Sequence, residues 1–452
     1  MPNKLTQTLG HLLAKTAKYG PAQAWIQSLS KAYKQSQIQQ TTSPGFDIPE
    51  VLPITARTAV TQDGPRINLL VPAISHKHVF GGIATALQVF DSVRQHFASA
   101  RIILTDETDP APSDTAYYSC WPCIPLNQES PTENHIVPAG ARWEQTLPVH
   151  AQDYFMATAW WTAHNAQALL TWQLHQFPHN QHRRLLYLIQ DFEPGFYPWS
   201  SRYVLAQATY NQPDRTIAVI NSHWLKDYLQ QQGHQFSSQY VLTPHLHPAL
   251  ATLRNKHLTF NKDRQLLIYG RPGTDRNAFS VIVAALRLWA QRYTPATEWK
   301  ILSAGEPFSP VDLGHGCQLR SLGKLAIEDY ADILSRTAIG MSLMISPHPS
   351  YPPLEMAAFG ARVITNRFAN KDLSTISSFL VSIEQLDPEK LANALSVLTT
   401  DFDQLNAEDR SIDQRQIDWH DDFLQPGDNA WSWTEKVASE LLTNDVSEDF
   451  SA

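Results

Sequence analysis

The chain has 452 residues, a formal net charge of -8, 17% charged residues and 43% hydrophobic residues. That length exceeds one ordinary core and implies two domains. The net negative charge argues against a protein that tracks nucleic-acid phosphates. No apolar run reaches the roughly 18 residues of a membrane span, and no secretory leader is visible at the N-terminus.

The charge is uneven along the chain. Residues 1–46 contain no Asp or Glu but carry Lys4, Lys15, Lys18, Lys31 and Lys34, whereas residues 401–452 hold fourteen acids against three basic residues. Leu5, Leu9, Leu12 and Leu13 share one helical face, as do Ala22, Trp25, Ile26, Leu29 and Tyr33, with Gly20-Pro21 between the two helices. Residues 1–45 therefore read as a basic helical extension. It packs on its own protein or a second subunit, with a peripheral membrane surface as the alternative.

From Arg66 the pattern alternates strand and helix. Ile67–Val71 reads as a first strand, Gly81-Gly82 as the loop after it, and residues 83–97 as a helix. The apolar runs 102–104, 154–159, 185–189 and 217–220 read as further strands. Cys120 and Cys123 have C-x-x-C spacing, but no helix follows to activate a thiol and no second ligand pair accompanies them, so they read as a loop pair. His76, His78, His245, His247 and His348 have no metal-site spacing and read as loop residues beside a site. A second α/β series starts at Leu266–Tyr269, followed by helix 276–293, strand 299–302, helix 326–336 and strand Ile339–Ile345. Then come a Pro-rich loop, a short helix begun by Pro353 with Glu355 in its first turn, and a last strand. Two such halves imply two doubly wound domains around a crevice. The expected bounds are 46–250 and 251–427, with a terminal segment 428–452 that contains Trp431 and Trp433.

Three segments carry candidate chemistry. Gly81-Gly82 stands where a loop approaches a phosphate, although such a pair also merely permits a tight turn. The strand ending in Gln190-Asp191-Phe192-Glu193 presents polar groups to the crevice. Arg271 and Arg276 flank a Gly-containing turn before a helix, with Asp275 as the expected N-cap, and so suit a diphosphate. Asp191 and Glu193 could also be read as a divalent-metal pair beside a diphosphate in a one-domain protein. The complete second half of the chain argues against that, and no metal is expected.

Leu354-Glu355-Met356-Ala357-Ala358-Phe359-Gly360-Ala361-Arg362-Val363-Ile364 resembles the donor-binding segment of the retaining family 4 glycosyltransferases of GT-B fold. The variant Ser-Pro-His-Pro-Ser350-Tyr351-Pro-Pro-Leu-Glu355 is similar to that of bacterial rhamnosyltransferases typified by WsaF. Gln190-Asp191, in place of the family's commoner His-Asp, fits the same subgroup, and the segments around Asn221-Ser222 and Leu322-Gly323-Lys324-Leu325 match the family too. Position 347, where the family usually has a first Glu, is Pro here, so that acid's role does not transfer. Arg276 replaces the usual Lys and keeps the charge.

The resemblance implies a first domain that holds a saccharide acceptor and a second that binds a nucleotide-sugar donor. It also implies a terminal segment that returns to the first domain. The donor implied by the subgroup is dTDP-rhamnose, with no cofactor. Gln190, Asp191 and Arg271 are the expected catalytic residues. Gly81, Gly82, Arg271, Arg276, Lys324, Ser350, Tyr351 and Glu355 are the expected donor-binding residues, with Lys324 near the nucleobase. A cytoplasmic enzyme at the inner face of a membrane, building a cell-surface glycan with retention of configuration, is the expected setting. A GT-B protein that binds glycan without transferring sugar is the alternative, and a GT-B epimerase is weaker because its catalytic acids are not identifiable.

Overall fold

The computed structural model describes residues 48–443 except 61–63, 75–80, 109–117, 131, 144, 179–182, 258 and 419–430. The basic helical extension, His76, His78 and Trp419 lie outside the described residues. Of the unit Met1–Leu52, the described part is a single 3-10 turn, Pro49–Val51. All that follows concerns the unit from Pro53 onward.

Ten helices and eighteen strands are described. The first half contains β1 (Ala56–Thr58), β2 (Arg66–Val71), α1 (Gly82–Arg94), β3 (Ser99–Leu104), β4 (Asn134–Pro138), β5 (Leu147–Val149) and β6 (Asp153–Ala157). It continues with α2 (Trp160–Gln176), β7 (Leu185–Ile189), α3 (Ser201–Ala208), β8 (Thr216–Asn221), α4 (His223–Gln231), β9 (Ser238–Leu242) and α5 (Pro248–Arg254). Seven of these strands form one parallel sheet in the order β4-β3-β2-β6-β7-β8-β9.

The second half contains β10 (Thr259–Asn261), β11 (Asp263–Gly270), α6 (Phe279–Arg292), β12 (Lys300–Gly305), β13 (Val311–Gly314), β14 (Cys317–Gly323) and α7 (Ile327–Arg336). It continues with β15 (Thr337–Met341), α8 (Tyr351–Ala358), β16 (Arg362–Asn366), β17 (Leu380–Ile383), α9 (Pro388–Gln404), β18 (Ser411–Asp413) and α10 (Trp433–Leu442). Its sheet has the order β13-β14-β12-β11-β15-β16-β17 and is parallel except for β13.

The inner strands of both sheets are buried on their two faces, which is why they read as apolar runs and not as alternating ones. In the first sheet Leu70, Phe155, Tyr187 and Ile220 pack under α2, through Ala163, Ala166 and Leu169. The alternate residues Leu69, Met156, Leu188 and Val219 pack under α1, through Val89, Phe90 and Val93. Val437, Ala438 and Leu441 of α10 join that second layer, so the terminal helix packs on the first sheet. In the second sheet Leu266, Ile268, Ile339 and Ile364 meet α6 and α9, and Leu267, Val363 and Leu380 meet α7 and α8.

Several boundaries differ from those read in the sequence. Strand β15 ends at Met341, not Ile345. Helix α8 begins at Tyr351, two residues before Pro353, because a proline fits the first turn where no backbone donor is needed. Asp275 does not cap the long helix: residues Asp275–Asn277 form a separate 3-10 turn, and the cap is Ala278 in the left-handed region at φ 49°. The hand-over between the halves lies slightly before residue 250. Leu242 packs with the first core, whereas Leu246 and Leu250 pack with Phe260, Leu334 and Phe359 of the second.

Candidate functional site

The carboxyl ends of the two parallel sheets face one another, and the loops after them supply the polar residues of the crevice. Strand β7 delivers Gln190 and Asp191. Strand β2 leads to Gly81-Gly82, and β8 ends in Asn221. From the second sheet, β11 delivers Arg271 and Arg276, β12 Glu306, β14 Lys324, β15 the loop 342–350, and β16 the loop containing Lys371.

Gln190 lies against the start of α1. A Cβ at Gly82 would stand 2.1 Å from Gln190 Oε1, so a larger residue there would push the Gln190 amide out of this position. Gln190 Nε2 donates to Thr158 O at 3.0 Å, while Oε1 is buried without a hydrogen-bond partner.

Asp191 joins the two domains. Its Oδ1 accepts from Ser346 Oγ and from Phe192 N, the latter at 2.8 Å. Its Oδ2 stands 3.8 Å from Arg276 Nε. The Arg276 guanidinium also lies over the Phe196 ring, 4.1 Å from its centroid, a cation–π contact from the second domain to the first.

Glu193 does not present its carboxylate to the crevice as the sequence suggested. It is buried, with Oε2 accepting from Trp160 N at the start of α2, and burial pushes its carboxyl up to about 8. Asp191 and Glu193 therefore serve separate partners. Among the described residues no group of three or more His, Cys, Asp or Glu is placed to hold a metal ion.

Arg271 occupies the more open part. Its Nε is 3.3 Å from Glu306 Oε1, and burial raises the pKa of the nearby Tyr269 hydroxyl while the charge of Arg271 acts to lower it. Glu306, which sequence reasoning missed, accepts from Gly273 N at 2.7 Å and from Thr274 Oγ1 at 3.4 Å. It reaches that position because Gly305 has φ +132° and a Cβ there would meet Gly270 O at 2.4 Å. Lys324 follows Gly323 and lies close enough to Arg271 that burial and the neighbouring cation both hold its ammonium below the usual lysine range. The two arginines thus do not run side by side: Arg271 stays with its own domain's loop and Arg276 crosses to the other domain.

The loop before α8 is tightly internally bonded. His348 N donates to Ser346 Oγ at 3.0 Å, and Ser350 N donates to His348 Nδ1 at 3.0 Å, with Ser350 held at φ 68°. Lys371 is buried beneath it, donating to Met344 O at 2.7 Å and His348 O at 3.4 Å, and burial lowers its ammonium to about 7. Nothing in the sequence around Lys371 distinguished it, since its partners are backbone carbonyls more than twenty residues away. The Tyr351 hydroxyl is turned to Asn221 and Thr85 of the first domain. Glu355 Oε2 accepts from Tyr330 at 3.0 Å, and burial raises its carboxyl to about 7.

The crevice thus combines cations on one rim, a carboxyl that burial raises to about 7, and polar groups with unused hydrogen-bonding capacity. That set can hold an anionic group beside a polyhydroxylated one.

Comparison with known proteins matches residues 66–223 to the family described as WsaF, N-terminal domain, and residues 264–396 to WsaF, C-terminal domain. The O-antigen biosynthesis protein RfbC of Myxococcus xanthus is 28% identical over 305 residues, which is 66% of this chain. The chain spans only 21% of that relative's length. Among solved structures, sucrose-phosphate synthase from Thermosynechococcus elongatus has a TM-score of 0.50 at 14% identity, covering 75% of this chain and 90% of its own. Apo OtsA has a TM-score of 0.52 at 10% identity, covering 84% and 99%. Likeness at such identities is likeness of fold, and the fold is GT-B.

Proposed function

We propose that this chain, which carries both WsaF domains in order on a GT-B scaffold, is a glycosyltransferase. Its donor is a nucleoside-diphosphate sugar, its acceptor is a saccharide, and its product belongs to an O-antigen-like or other cell-surface polysaccharide. L-Rhamnose from dTDP-rhamnose, transferred with retention, is the specific reaction that the WsaF-like segments favour. The observation that carries the reading is the placement of Arg271 and Lys324 after strands of one sheet and of Gln190 and Asp191 after a strand of the other, with Asp191 facing Arg276 across the crevice.

In this reading the anomeric carbon–oxygen bond to the diphosphate breaks as the acceptor hydroxyl oxygen bonds to that carbon on the same face. The acceptor proton passes to the departing phosphate, so no protein nucleophile is needed. Negative charge grows on the diphosphate, and Arg271 with Lys324, held in place before the reaction, stabilises it. These cations take the role a divalent ion has elsewhere. Glu355 in its charged form and the neighbouring Tyr351 accept and orient sugar or ribose hydroxyls, and Gln190 binds the transferred sugar. Lys324 lies on the nucleotide side. A cytoplasmic setting belongs to this reading through the family resemblance alone. No described helix is long and apolar enough to cross a membrane.

The test is nucleoside-diphosphate release from dTDP-rhamnose, UDP-glucose and GDP-mannose, with and without rhamnose-terminated acceptors and with EDTA. Acceptor-dependent dTDP release that survives EDTA is the expected result. Release from another donor would replace the sugar and keep the enzyme. Saccharide binding with no release from any donor would replace transfer by glycan binding.

A further inference from the structure

His348 read in the sequence as a loop residue beside a site. Its surroundings indicate more. It is 8% exposed, and its Nδ1 accepts the Ser350 amide, which in a neutral imidazole leaves the proton on Nε2. That Nε2 is buried and has no hydrogen-bond partner. Burial holds the ring neutral at physiological pH, with its pKa lowered to about 4 even though Asp191 acts to raise it. An unsatisfied buried donor costs stability unless something uses it.

Its position narrows what could use it. The ring stands 5.9 Å from the Tyr351 ring, and its charged neighbours are Asp191, Arg276 and Lys371. Asp191 is linked to the same loop through Ser346. A phosphate beside that carboxylate would be repelled, whereas Arg271 and Lys324 offer it cations elsewhere in the crevice. A neutral hydroxyl has no such penalty. Gln190 Oε1 and Asn221 Oδ1, across the crevice on the first domain, are likewise buried acceptors without partners, so the crevice offers a hydroxylated ligand both donors and acceptors.

We propose that His348 reads the donor's sugar: its Nε2–H donates to a hydroxyl oxygen of the sugar carried by the nucleoside diphosphate. The inference rests on the nucleotide-sugar reading of the crevice. Because the imidazole is fixed by the Ser350 amide and the His348 backbone by Ser346 Oγ, the ring selects hydroxyl position as well as presence, as buried polar recognition generally does.

The test is calorimetric binding of dTDP, UDP and GDP and of dTDP-rhamnose, UDP-glucose and GDP-mannose to wild type, His348→Ala and His348→Gln. Circular dichroism and thermal melting establish that each variant folds. The expected result is an unchanged Kd for the preferred free diphosphate and a sugar-nucleotide Kd about tenfold weaker in His348→Ala. Partial recovery is expected in His348→Gln, which restores an N–H donor. Equal weakening of diphosphate and sugar nucleotide, or no change in either variant, overturns the inference and leaves the donor reading standing. Wild type that binds none of the six probes overturns both.

Discussion

Two arginines five residues apart share one loop yet do different work. Arg271 pairs with Glu306 of its own domain, with side chains 38% and 33% exposed; Arg276 pairs across the crevice with Asp191, at 29% and 11%. An exposed pair is worth little in water and can be exchanged for a ligand's phosphate at small cost. A pair sunk between domains, supported by Ser346 and by stacking on Phe196, is expensive to part. Residue type alone would assign both arginines to the diphosphate. Burial separates them into a more open pair within one domain and an interdomain clasp.

The largest effect should come from removing the rim cation. Arg271→Ala is expected to lower turnover about 100-fold to 1000-fold, as loss of a preorganised charge at a developing anion does, with thermal unfolding unchanged. Steady-state kinetics and melting curves test both halves, and near-wild-type turnover would remove Arg271 from the diphosphate. Asp191→Ala should act in the other sense, lowering stability by about 1–3 kcal/mol because Ser346 and Arg276 lose a buried acceptor. A denaturant titration showing no loss would mean that the clasp contributes nothing to closure.

Acidity sharpens the contrast further. Glu355 has its carboxyl raised to about 7 by burial. The stability it contributes is therefore fully present below its unfolded value near 4.5 and is lost as pH rises through 7. If its charged form binds sugar or ribose hydroxyls, activity runs the opposite way, falling about tenfold for each pH unit below 7. Opposite slopes in kcat/KM and in stability between pH 5 and 7, both flattened in Glu355→Gln, are the expected signature. Parallel slopes would mean that acid acts on the fold and not on this carboxylate.

What could be read in advance follows the same division between local and tertiary causes. Ile67–Val71 and Leu185–Ile189 were legible because strands buried on both faces are continuous apolar runs. Strand β4 was not, since His135 and the polar Asn134 interrupt the pattern, and its burial depends on β3 beside it. Gln190, Asp191, Arg271 and Glu355 stood out through motif position. Glu306, Ser346 and Lys371 did not, because each acts through partners brought near only by folding: Asp191 lies 155 residues from Ser346. Glu193 looked like a crevice carboxylate for the converse reason. Its sequence neighbours are crevice residues, but its actual partner is the amide of Trp160.

The smallest expected effect tests the exchangeability on which the comparison depends. Glu306 accepts from Gly273 N, Thr274 Oγ1 and Arg271 Nε, which are the amide, hydroxyl and guanidinium donors that a diphosphate at this loop would use. A carboxylate in that seat competes with the ligand, and the competition is weak because the pair is exposed. Glu306→Gln keeps the size and an acceptor oxygen but drops the charge. It should tighten free diphosphate binding only about two- to fivefold, equivalent to less than about 1 kcal/mol. Raised salt should shrink the difference, since screening weakens an exposed charge first. Weaker binding in Glu306→Gln would give Glu306 the opposite role: it would hold the loop in its binding shape, and the rim would be as structural as the clasp.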